Sequence, residues 1–168
     1  TTVLDTGADL ILQANNDITI NNTITVNEGG GGGDFTLQAG RSIFINADIF
    51  TDNGIFSAHA NHALANQTYR DAGAATINVS SGASINTGSG DLILELNSGV
   101  GGNLTGEIQI GGTLSTTSDM LKLLNRGAGQ RINLLSTATL NSGTGTSDHL
   151  YLNADDLNVE DGVTTTGY

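Results

Sequence analysis

Short runs in which apolar and polar residues alternate recur along nearly the whole 168-residue chain. They are clearest in GADLILQANNDITI, from Gly7 to Ile20, and in GGDFTLQAGRSIFI, from Gly32 to Ile45. Aligned on a first apolar pair, six units appear: Leu10/Leu12, Phe35/Leu37, Phe56/Ala58, Leu92/Leu94, Leu121/Leu123 and Leu150/Leu152. A second pair follows at Ile18/Ile20, Ile43/Ile45, Ile77/Val79, Ile108/Ile110, Ile132/Leu134 and Leu157/Val159. A third apolar position falls six or eight residues after the second pair begins, at Ile24, Ile49, Ile85, Leu114, Leu140 and Val163. A period of two marks each piece as a short strand with one buried face. Three such strands per unit, parted by Gly, Asn, Asp and Ser, predict one coil of a parallel β-helix. Six coils stacked at about 4.8 Å make a rod on the order of 30 Å long. No segment keeps apolar residues at i, i+3, i+4 and i+7, and β-branched residues dominate the apolar positions. His59 to Ala75 is the only stretch suited to a helical turn.

Unit lengths differ, and the differences locate the insertions. Gly29 to Gly33 extends the first coil, and Asn61 to Gly73 (NHALANQTYRDAG) interrupts the third between its first and second strands. Ser98 to Thr105 and Asn125 to Gln130 lengthen the same turn in the next two coils. The alternation also assigns the outward side chains. The first strand presents Ile11, Thr36, Ser57, Ile93, Lys122 and Tyr151. The second presents Thr19, Phe44, Asn78, Gln109, Asn133 and Asn158, the last four as a ladder of amides on adjacent coils. The third presents Thr25, Asn86, Ser115, Asn141 and Thr164.

Composition narrows the function. The chain has no Pro and no Cys but 24 Gly, so its stability must rest on backbone ladders and stacked aliphatic side chains. Lack of Cys also suits a secreted bacterial protein that crosses membranes unfolded. With 17 acidic residues against 5 basic ones and a net charge of −12, nucleic acid and anionic lipid are poor partners. No apolar run approaches the roughly 18 residues of a membrane span, so no membrane insertion is expected. The chain has no basic leader at Thr1 and no evident terminal cap, as expected of residues 1–168 forming one segment of a longer solenoid or filament.

The phrases LILQANNDITINNTI and FTLQAGRSIFINADIFTDNG resemble the repeats of filamentous-haemagglutinin-like exoproteins, the large adhesins exported by two-partner secretion. The resemblance is strong over about Gly7 to Ala60 and continues as pattern alone to Tyr168. It implies a right-handed parallel β-helix on a bacterial surface, with roles in adhesion, biofilm or contact-dependent functions. The Asn-Pro motifs of that family's secretion domain are absent, since the chain has no Pro. The likeness is therefore to the repetitive shaft, which carries no transferable active site. The expected role is a structural and adhesive module, extracellular or on the cell surface. It would associate end to end with its own copies and contact host or matrix glycans or surface proteins. The alternative is a polysaccharide lyase or hydrolase. That chemistry needs carboxylates flanking a cleft with basic and aromatic sugar platforms, and this chain has no Trp and three Tyr. No nucleophile elbow or phosphate loop occurs, so an enzyme is not expected. An ice-binding face would need a regular Thr array, and Thr23/Thr25 and Thr137/Thr139 do not recur in adjacent units.

The candidate binding residues fall in two groups. Tyr69, Arg70 and Asp71, in the 61–73 insertion, are the densest mix of aromatic and charged groups, and the loop could also simply cover exposed Phe44. The amides Asn78, Gln109, Asn133 and Asn158 could bond sugar hydroxyls, or one another. Asp9, Asp34, Asp91, Asp119 and Asp148 precede the first strands and form a candidate Ca²⁺ edge, against the simpler reading that each bonds backbone amides at a turn. His59 and His62, with remote His149 and Asp71, are a weak metal set beside the reading of loop histidines. Lys122, Arg126 and Arg131 suit either an acidic polysaccharide or pairing with Asp119 and its neighbours.

Overall fold

The computed structural model describes residues 3–27, 29, 31–97, 105–144 and 150–167. They form a parallel β-helix of six coils, each contributing one strand to each of three six-stranded sheets. Coil one holds β1 (Leu10–Ala14), β2 (Ile18–Ile20) and β3 (Ile24–Thr25), and coil two holds β4 (Phe35–Ala39), β5 (Ile43–Ile45) and β6 (Ile49–Phe50). Coil three holds β7 (Phe56–Ala60), β8 (Ala75–Val79) and β9 (Ser84–Asn86), and coil four holds β10 (Leu92–Leu96), β11 (Thr105–Ile110) and β12 (Thr113–Ser115). Coil five holds β13 (Leu121–Asn125), β14 (Arg131–Leu134) and β15 (Thr139–Asn141), and coil six holds β16 (Leu150–Asn153), β17 (Asp156–Val159) and β18 (Thr164–Thr166). The first sheet runs β1-β4-β7-β10-β13-β16, and the other two repeat the same coil order.

The registers of the first two sheets follow the apolar alignment residue for residue. Leu10 pairs with Phe35, Phe35 with Phe56, Leu92 with Leu121 and Leu121 with Leu150, and Ile132 pairs with Leu157. Inward side chains stack into one continuous core, with Leu37, Ile45, Ile77, Leu94, Ile108 and Leu123 fully buried. Phe35 and Phe56 meet with ring centroids 5.6 Å apart, the one aromatic step among the described core rings.

The third sheet corrects the alignment at its last coil. Leu140 pairs with Thr165, not with Val163, and Asn141 pairs with Thr166. The turn Glu160–Val163 copies that of coil five, where Ala138 N–H donates to the Leu135 carbonyl and Val163 N–H donates to the Glu160 carbonyl. Val163 therefore lies in the turn; Thr164 faces outward as expected but in the column of Thr139, and the counterpart of Asn141 is Thr166.

One corner is built on close approach of backbones. A Cβ added at Gly33 would collide with the Ala8 carbonyl, at Gly54 with that of Gly33, and at Gly90 with that of Gly54. The buried hydroxyls of Thr51 and Thr87 donate to the carbonyls of Gly54 and Gly90 at 2.5 and 2.6 Å, so TDNG and TGSG are the same turn. Helical turns occur at two places. Gln67–Tyr69 lies in the stretch the sequence allowed, whereas Leu4–Thr6 was not foreseen and buries Leu4 against the first coils. The Ser98–Thr105 turn and the Thr1–Tyr168 junction lie outside the described residues, save Thr105, as does Gly30 of the glycine run.

Burial is uneven along the axis. Inward-facing Leu157 and Val159 of coil six remain 48% and 53% exposed, whereas their counterparts in coils two to five are sealed. Leu94→Ala should therefore cost about 2–5 kcal/mol, and Leu157→Ala less than half of that, read from urea midpoints. Equal losses at the two positions would contradict this gradient.

Candidate functional site

The insertion after β7 begins at Asn61, which is buried and adopts φ of 52°, a left-handed conformation Asn tolerates better than most residues. Its N–H donates to the Arg41 carbonyl at 3.0 Å, and His62 N–H donates to the Ala39 carbonyl at 2.9 Å. The loop thus turns back toward coils one and two. Asn66 caps the short turn Gln67–Tyr69 by accepting from Thr68 N–H at 3.0 Å, and its own N–H donates to Asn15 Oδ1 at 2.8 Å.

Arg70 fastens this arrangement. Its guanidinium donates to the carbonyls of Gly40 (2.7 Å), Asp71 (3.0 Å) and Gly73 (3.3 Å), and to Asn61 Oδ1 (3.4 Å). Asp71 accepts from the Asn16 amide, and Asp17 and Arg41 pair at 2.5 Å, with Arg41 also donating to the Ala72 carbonyl. The recognition trio read from the sequence therefore divides: Arg70 and Asp71 hold the loop to the rod, although the Asp71 side chain stays 68% exposed, and Tyr69 is 67% exposed. Phe44 stays half-buried, and the loop's hydrogen bonds go to the Asn15–Asp17 and Gly40–Ser42 corners. Between loop and first sheet lies an open cavity of about 360 Å³, lined by Gln13, Asn15, Gln38, His62 and Leu64 among others. Leu64 is 83% exposed at its rim, and Gln13 donates to Gln38 at 2.5 Å across its floor.

Four groups here titrate away from their ordinary values: the Asp17 hydrogen bond raises Arg41, burial lowers Arg70, and Asp17 and His62 are lowered as follows. The hydrogen bond from Arg41 holds the Asp17 carboxyl below its usual 3.8, against the opposing effect of burial. Burial, then the charge of His59, lowers His62 below 6.5. The unfolded loop takes up a proton that the folded one resists. That part of loop stability is complete above about 6.5 and falls as the pH drops toward the folded pKa. The Asp17 part is complete above about 3.8 and is lost only as the pH passes its lowered value.

The first sheet's outer face carries paired charges. Glu95 lies 3.4 Å from His59 and accepts from Arg126 at 3.0 Å, while Lys122 pairs with Asp91 at 3.6 Å. Arg131 pairs with Asp156 at 2.8 Å. The basic residues thus join carboxylates on adjacent coils, Lys122 with Asp91 among them. His59 and His62 sit edge to face with centroids 6.4 Å apart, and His149 lies outside the described residues. Among the described residues no three His, Asp or Glu side chains cluster as metal ligands do.

The acidic edge behaves as turn chemistry. Asp9 Oδ1 accepts from Asp34 N–H at 3.0 Å, Asp34 Oδ1 from Ile55 N–H at 2.8 Å, and Asp91 Oδ1 from Met120 N–H at 2.9 Å. The column therefore reads Asp9, Asp34, Ile55, Asp91, Met120, with Asp119 one residue out of register. Asp148 lies outside the described residues. In the amide ladder, Asn78 donates to Gln109 at 2.6 Å and Asn158 to Asn133 at 2.7 Å, so the amides are stacked on one another in two pairs.

The residues the sequence reading passed over are on the third sheet. Its outer positions form one column of Thr25, Phe50, Asn86, Ser115, Asn141 and Thr166 through all six coils, and a second of Ser84, Thr113, Thr139 and Thr164 over coils three to six. The recurring polar–apolar–polar tripeptide was visible, but the misplaced Val163 hid its last member. Thr139 was also matched to Thr137, which instead donates to the Gly111 carbonyl in the turn.

Amide exchange across residues 61–73 should quicken, beyond its intrinsic pH dependence, between about pH 7.5 and about 5.5, and His62→Gln should remove that change. An unchanged protection factor in the wild type would contradict the His62 linkage. Compared with protein-family models, curated proteins and solved structures, the chain matches none of them.

Proposed function

We propose that this chain is a structural and adhesive segment of a secreted bacterial surface fibre, built to extend by adding coils of its own kind. The observation that carries this is the stack itself, six coils held in one parallel register over a continuous core. A further coil in the same register, whether of the same polypeptide or of a second copy, would pair the edges of β16, β17 and β18 and bury Leu157 and Val159. Exposed Leu12 on coil one offers the complementary apolar surface. A stiff solenoid displaying a repeated face also suits weak multivalent contact, which gains strength without a deep pocket.

Charge sets the conditions for this assembly. Coil six brings Asp155, Asp156, Glu160 and Asp161 to the junction, and coil one brings Asp9 and Asp17. Arg131 offsets Asp156, and the Glu160 carboxylate bonds Ser136 N–H, but the junction remains acidic. Salt screens such repulsion within about 10 Å at 0.1 M. Electron microscopy at high concentration should therefore show rods several times the on-the-order-of 30 Å length of one stack. They should lengthen as salt is raised, and Val159→Asp should shorten them. Dispersed single particles at every salt concentration would contradict the fibre reading.

A further inference from the structure

The three outer faces use their polar groups differently. The first sheet's charges are paired across coils, and the second sheet's amides are bonded to one another. The third sheet differs from both. Over coils three to six it shows only Ser84, Asn86, Thr113, Ser115, Thr139, Asn141, Thr164 and Thr166, none charged, on a chain of net charge −12. Among the described residues, the side chains of Thr113, Ser115, Thr139 and Asn141 bond no protein group, and Asn86 uses only its carbonyl oxygen, accepting from Gly88 N–H at 2.8 Å. Their hydroxyls and amides are thus left to solvent or to a ligand. Parallel pairing sets them in two columns, spaced about 4.8 Å along the axis and about 6.6 Å along each strand. The turns on the amino-terminal side of these strands, at Asn21–Thr23, Ala47, Ser80–Ala83 and Gly111–Gly112, are short and leave the face unobstructed.

At coil two the face changes character. Phe50 takes the outer position between Thr25 and Asn86, half-buried, and lines a cavity of about 340 Å³ together with Thr25, Asn27, Asp52 and Asn86. An aromatic ring on a polar sheet face, beside a cavity and in line with two columns of hydroxyls, is an unusual combination. Solvation alone would be served as well by the charged residues used elsewhere on this surface.

We propose that the outer face of the third sheet binds a neutral glycan chain lying along the solenoid axis, with one sugar ring against Phe50. The following rings meet Ser84, Asn86, Thr113 and Ser115. The inference rests on the adhesive reading and gives it a site. Each hydroxyl and carboxamide offers both a donor and an acceptor, as each sugar hydroxyl does, so the two surfaces match over coils three to six without a charge on either, and the carboxylates beside Phe50, Asp48 and Asp52, can accept from sugar hydroxyls. An aromatic ring supplies a flat apolar platform for the C–H face of a pyranose. An acidic glycan is disfavoured, because the face has no Lys or Arg and the whole chain is acidic. The shallow, periodic geometry suits a polymer, whose many weak contacts add along the rod. An ordered water lattice is the competing occupant of a hydroxyl array, and the Phe50 ring with its cavity breaks the flatness that such a lattice requires.

The test is affinity electrophoresis of the folded chain through gels holding a neutral β-glucan, a galactomannan or dextran, with alginate as the acidic control. At least one neutral polymer should retard the wild type, and alginate should not. Phe50→Ala and the double variant Thr113→Val/Ser115→Ala should each weaken retardation about tenfold or more, the equivalent of one lost hydrogen bond or stacking contact. Asn133→Ala, on the second sheet, should leave it unchanged. Circular dichroism melting separates loss of binding from loss of fold, and Thr113→Val conserves shape. No retardation by any neutral polymer, equal retardation of wild type and both variants, or shaping of ice crystals without glycan binding would each overturn the site. Rods seen without glycan binding would overturn this proposal and leave the fibre reading intact. Glycan binding by dispersed particles would do the reverse.

Discussion

Everything in this molecule depends on the vertical register of one coil upon the next. Strand side chains alternate with a period of two, so a slip of one residue would turn a whole strand's apolar set outward. The register is therefore fixed three times per coil, once in each sheet, and the three sheets share one core. That redundancy explains why the chain tolerates turns of very different length. Coil three carries a loop of fourteen residues between β7 and β8, yet Ile43 still pairs with Ile77, and Ile77 with Ile108.

The corners carry the second layer of specification. Carboxylates of Asp9, Asp17, Asp34, Asp48 and Asp91 each accept a backbone N–H from the coil above, at points where the ladder would otherwise be interrupted. This gives these five acidic residues a structural role. The same economy is seen in Arg70, whose donors go to loop and corner acceptors. Polar groups with no such duty lie on the third sheet, where the side chains of Thr113, Ser115, Thr139 and Asn141 bond no protein group among the described residues.

The architecture was legible because inward positions obey one simple rule, and all but one of the predicted inward residues lie where alternation put them. The exception is the alignment of Val163, which packs on the core from the turn before β18, while the strand partner of Leu140 is Thr165. Polarity is a poor guide at a terminal coil, where the inward position is not sealed. Roles in the loop were less legible. Tyr69, Arg70 and Asp71 are neighbours in sequence, but only the backward fold of the loop onto Gly40 and Asn16 decides which of them faces solvent. The amide ladder was legible as a column, whereas its mutual bonding depends on side-chain rotamers that no sequence pattern specifies.

The register itself can be measured in a chain that has no native Cys. Spin labels at Thr25→Cys and Thr166→Cys would sit in one column of the third sheet, at its first and last coils. Five coil spacings place the two backbone sites about 24 Å apart. Pulsed electron spin resonance should return a single narrow distance distribution centred near that value, widened only by the label arms. A broad distribution, or a centre displaced by more than the label arms can reach, would contradict the six-coil stack.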